Sequence, residues 1–197
     1  MPVIARRRIG GALIQFLGAA VGALLVGGAA IGIANSATDP QPSRADRAEL
    51  TAYERAIAAP AKEGGFVVQE GLKVGLAQVG SGNAGQVMFQ AVAWVERIKT
   101  VRTEFDAAAA PLTVPTLIEA AEAFDEALVL YERTAETIGA AAIASGDPRV
   151  TLLEKAAASG KKADARYDKA MALIQSTRKA LKMPATEGLP SPGTENE

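Results

Sequence analysis

Residues 115–145 read PTLIEAAEAFDEALVLYERTAETIGAAAIAS, and their spacing decides the fold. Leu117, Ala121, Phe124, Leu128, Tyr131, Ala135, Ile138 and Ala142 recur in steps of three and four, the period of a helix with one buried face. Pro115 suits the first turn, where its missing N–H has no partner to lose. Glu119, Glu122 and Glu126 fall within about 60° of one another, nearly opposite the apolar stripe, with Asp125 beside them. Carboxylates turned outward are a solvated face; turned inward they would be candidate metal ligands. The outward reading is preferred, with Arg133 placed to join a surface ion-pair array of little energetic weight.

The flanking stretches repeat the pattern. Residues 86–109 carry Val87, Ala91, Trp94, Val95, Ile98, Val101 and Phe105 and stop before Pro111. Asp147-Pro148 reads as an N-cap followed by proline at the first helical position. The helix it opens, to about residue 182, places Leu153, Ala157, Gly160, Ala163, Tyr167, Met171, Ile174 and Leu181 on one side. An earlier helix over residues 43–59, capped by Ser43 and expected to end at Pro60, carries Leu50, Tyr53 and Ile57. Between them residues 61–85 are punctuated by Gly64, Gly65, Gly71, Gly75, Gly80, Gly82 and Gly85, which suggests a short, loosely formed helix, with strand as the alternative.

No stripe can be buried on its own helix, so the helices must cover one another. The expected fold is all-α, an antiparallel bundle of about four helices. Alanine and Gly160 on the apolar faces imply close helix approach, not a large internal cavity. Tyr131 and Tyr167 read as core anchors whose hydroxyls need partners. Trp94, the only tryptophan, reads as core or edge of core, and as a partner contact if it is exposed. Lys161 and Lys162 read as ordinary solvation.

Upstream of the bundle stand Arg6, Arg7 and Arg8, then an uncharged apolar run over residues 9–34. A helix of that length is about 39 Å long, enough to cross a hydrocarbon core of about 30 Å with some tilt. The basic flank sets its orientation. Residues 1–8 become a cytoplasmic stub, 9–34 a transmembrane signal-anchor and 35–43 a linker holding Pro40 and Pro42. Residues 44–182 then form an extracytoplasmic bundle, and 183–197, with Pro184, Pro190 and Pro192, a disordered tail. The alternative is a cleaved signal peptide and a secreted domain, with Gly32-Ile33-Ala34 or Ala34-Asn35-Ser36 as the processing site. Residues 10–15 loosely resemble the processing site of type IV pilins, but Gln15 stands where that site has an acid.

Within the run, Gly11, Gln15, Gly18, Gly22 and Ala29 lie on one stripe, and Gly18 and Gly22 form a G-x-x-x-G pair. Small residues let two helices approach closely in lipid, so this stripe is the expected packing face for a protein partner or a second copy.

Composition narrows the chemistry. A net charge of −1 gives no electrostatic basis for nucleic-acid binding. The chain has no cysteine and no histidine, which removes disulfides, thiolate metal sites, serine–histidine–acid triads and histidine-ligated metals. Gly80-Ser81-Gly82-Asn83-Ala84-Gly85 matches G-x-G-x-x-G, the spacing that cradles a dinucleotide pyrophosphate between strand and helix. Gln78 and Gly75 spoil the strand before it, and no second strand ending in an acid follows, so the motif reads as an interhelical loop. No cofactor, metal or catalytic constellation is expected. The sequence points to a non-enzymatic, membrane-anchored extracytoplasmic interaction or scaffold protein, an accessory subunit of a membrane complex being one form of it. A small-ligand binding or sensor bundle is the alternative.

Overall fold

A computed structural model describes residues 43–184. The chain forms α1 (Arg44–Phe66), a π-helical segment (Val67–Lys73), α2 (Val74–Gly80), α3 (Val87–Ala109), α4 (Pro115–Ile143) and α5 (Asp147–Ala180). The first three run on as one continuous helical path, so four long helices pack together, and among the described residues there is no strand. The apolar run of residues 9–34 with the expectation that it spans a membrane, most of the expected linker, and the residues from 185 onward lie outside the described residues. Within them no helix is long and apolar enough to cross a membrane.

Ser43 caps α1 as expected, its hydroxyl accepting the N–H groups of Ala45 and Asp46 at 3.1 and 3.4 Å. Pro60 does not end this helix. A proline inside a helix forfeits one backbone hydrogen bond and crowds the preceding turn. The apolar stripe nevertheless continues past it, burying Pro60 and Ala61, then Val67, Val68, Leu72, Leu76 and Val79. Burial along the whole path outweighs the local breaker, and the glycine-rich stretch becomes helix almost to its end. Its π-helical turns are wider than α-helical ones, a rare geometry met mostly in short stretches.

The other three helices fall close to expectation. Pro115 opens α4, and Phe124, Tyr131 and Ile138 are buried along it. A second buried stripe, Ala120, Ala123, Ala127, Thr134 and Ala141, accompanies the first. The N-cap of α5 is Gly146, with φ of +61°, rather than Asp147, which lies in the first turn where its charge suits the helix dipole.

Ends and seams fix the topology. Glu49 near the start of α1 accepts the N–H groups of Thr113 and Val114, at 2.7 and 2.8 Å, in the turn between α3 and α4. Arg47 donates to the carbonyl of Leu181 just past α5 at 3.0 Å, and Thr116 meets Thr177 at 2.8 Å. The start of α1, the α3–α4 turn and the end of α5 therefore share one end of an up-down-up-down bundle. Phe105, Phe124 and Tyr167 carry the core across three helices, with ring centroids 4.9 and 5.1 Å apart.

Candidate functional site

Two clusters combine polar chemistry with burial. The first joins α4, α5 and the π-helical segment. Tyr131 is buried and donates its hydroxyl hydrogen bond to Asp164 Oδ1 at 2.5 Å. Ser159 of α5 donates to the carbonyl of Leu130 at 3.1 Å, so side chain and backbone both tie the two helices here. Burial raises the carboxyl of Asp164 above its ordinary range; the Tyr131 bond and the positive charge of Lys73 pull the other way. Burial also pushes the phenol of Tyr131 well up, and the nearby Asp164 charge adds to the effect. A cavity of about 10 Å³ beside the pair, bordered by Leu72, Lys73, Thr134 and Gly160, has room for about one water.

The second cluster closes α1 onto α5. Arg178 is 7 % exposed; its Nη1 bonds to Glu54 Oε2, and its Nε and Nη2 donate to the carbonyl of Pro184 at 2.9 and 2.7 Å. The remaining oxygen, Glu54 Oε1, and the hydroxyl of Tyr53 are buried without a hydrogen-bond partner among the described residues. Burial alone raises the phenol of Tyr53. This ion pair holds the last turn of α5 and the residues after it against α1. Neither member stood out in the sequence, because a lone arginine in a lysine-rich helix end reads as solvated until its partner is placed.

The residues singled out from sequence are distributed as follows. Gly11, Gln15, Gly18, Gly22 and Ala29 lie outside the described residues. Trp94 is 8 % exposed and packs on the helical path opposite: a Cβ at Gly71 would lie 2.8 Å from its Nε1, and one at Gly75 would collide with its six-membered ring. Its suggested role as a partner contact required exposure, so that role is withdrawn and Trp94 is core. Gly80 to Gly85 follow a helix, not a strand, which leaves the dinucleotide pattern without its structural context. Glu119, Glu122 and Glu126 are exposed, and no group of three or more carboxylates among the described residues could hold a metal ion. Of this acidic run, Glu126 meets Arg166 of α5 at 3.0 Å and Asp125 meets Arg102 of α3 at 2.5 Å, both pairs running between helices and not within α4.

A second cavity, about 20 Å³ and lined by Pro60, Gly64, Phe105 and Phe124 among others, is apolar. Neither space holds more than one or two waters. No protein-family model matches the chain, and neither a curated protein nor a solved structure matches it.

Proposed function

We propose that the chain is a membrane-anchored interaction or scaffold protein whose helical bundle lies outside the cytoplasm. The carrying observation is the uncharged run of residues 9–34 behind Arg6, Arg7 and Arg8, joined by a short linker to a bundle built for packing. The closely packed interior supports this over a ligand-binding bundle, since the two cavities described are of water size. A protein of this kind works through its surfaces and its membrane segment. The Gly18/Gly22 stripe would meet a partner helix or a second copy in the bilayer.

Protease added to intact spheroplasts tests the topology. Removal of the bundle, with the chain recovered in the membrane fraction, is the expected result. Full protection of the bundle would refute it. A membrane-free product beginning near Ala37 would favour secretion after cleavage.

A further inference from the structure

Three large apolar side chains stand out on one end of the α3–α4 face: Phe89, Val92 and Ile143 are 72 %, 66 % and 70 % exposed. Helical register brings them together. Lys99 of α3 lies 3.9 Å from Glu132 of α4, and the charge of Glu136 acts on it too. Val92 precedes Lys99 by seven residues and Ile143 follows Glu136 by seven, so each sits two turns along the same seam in the same direction. A Cβ at Gly139 would lie 3.0 Å from that of Ala91, which confirms how closely the helices approach at this level. Phe89 is one turn beyond Val92. The patch therefore occupies the end of the bundle opposite the one where Arg47 and Glu49 hold the first helix.

We propose that this patch is where a second copy of the chain docks, pairing two bundles side by side at that far end. The proposal rests on the membrane-anchor reading. Three side chains cannot supply the roughly 800 Å² per partner of a standard free-standing interface. Their occupant must be brought close by another tether. A second copy held in the same membrane meets that need, because tethering raises its effective concentration without any further contact. Shared orientation also sets both patches at the same height, and a twofold axis along the membrane normal then puts like residues face to face. An apolar patch tolerates that arrangement. Next to it Lys99 bonds to Glu96 at 3.2 Å, so part of the bordering charge is balanced within each copy.

The chain has no cysteine, so a single introduced thiol reports only its own surroundings. Full-length Val92→Cys in native membranes, treated with a short bis-maleimide, should give a covalent dimer. Adding Phe89→Glu should abolish most of that product, and Lys155→Cys on α5 should remain monomeric. Carbonate washing of the same membranes reads the anchor separately. A Val92→Cys chain that stays in the washed membrane yet remains monomeric would overturn the docking proposal and leave the anchor standing. Equal cross-linking of Val92→Cys and Lys155→Cys would mean random collision. A thiol shielded from a monofunctional maleimide in a monomer would mean that residues 9–34 cover the patch, and an adduct with a different protein would name another occupant. Each of these also overturns the proposal.

Discussion

Trp94 rests on the helical backbone at Gly75, at a distance that leaves no room for a Cβ between them. The glycines of this stretch thus differ in what they do. Gly75 permits the approach of a large aromatic ring, whereas Gly65 has open space where its side chain would stand.

Gly75→Ala should destabilise the bundle by about 1–3 kcal/mol, the usual range for overpacking, because an indole ring cannot give way as a flexible side chain can. Gly65→Ala should stabilise it by about 0.4–1 kcal/mol by restricting the unfolded chain at a helical position. Urea melts followed by the single tryptophan would read both. A stabilising Gly75→Ala would mean that Trp94 does not occupy this seat.

Removing Arg178 should be costly in a way that removing both partners is not. Arg178→Met leaves Glu54 buried without its cation, and breaking a buried pair from one side costs about 3–5 kcal/mol. Glu54→Leu combined with Arg178→Met should recover most of the loss. A double variant as unstable as the single one would show that the carbonyl of Pro184, and not Glu54, is the partner that matters.

Asp164 should make the bundle less stable as pH rises through the acidic range. Its carboxyl is raised by burial, so the folded state keeps its proton longer than the unfolded state does. The corresponding stability is fully present below the ordinary carboxylate value and is lost as pH climbs through the raised one. Asp164→Asn keeps an acceptor for Tyr131 and removes this titration. The melting temperature of the variant minus that of the native chain should increase from about pH 4 towards neutrality. A difference that stays flat would place Asp164 in a more solvated setting. Glu49 works in the opposite sense. Burial raises it, but hydrogen bonds from Thr113 and Val114 outweigh that and hold it low, so its contribution fades on acidification.

Leu128→Ala should cost about 2–5 kcal/mol, since Leu128 is buried and already borders an apolar cavity that the change would enlarge. Thermal or urea denaturation measures it. A loss below about 1 kcal/mol would mean that the surrounding helices collapse into the space.

Much of the bundle was legible in residue spacing. Leu117, Phe124, Leu128, Tyr131 and Ile138 mark the inner face of α4 because helical period and burial coincide there. The first helix was less legible, since Pro60 and a run of glycines are strong local signals, and only the packed partners show that burial beyond Pro60 overrides them. The small-residue stripe Ala120, Ala123 and Ala127 was half hidden, because alanine fits a surface as well as a core. The clusters around Asp164 and Arg178 were illegible for a different reason. Asp164 lies 33 residues from Tyr131 and Arg178 lies 124 from Glu54, and no local pattern encodes such a partner.

The bundle begins and closes at one end, with Arg47 reaching Leu181 and Glu54 reaching Arg178. A mechanical load entering at residue 43 and leaving past residue 184 would act on these two ties in turn, peeling α1 from α5 as a zip opens. A load between that end and the opposite one would instead have to slide whole helices past one another. Tension across its two connections would therefore loosen the domain, while traction on its far end would meet its full resistance.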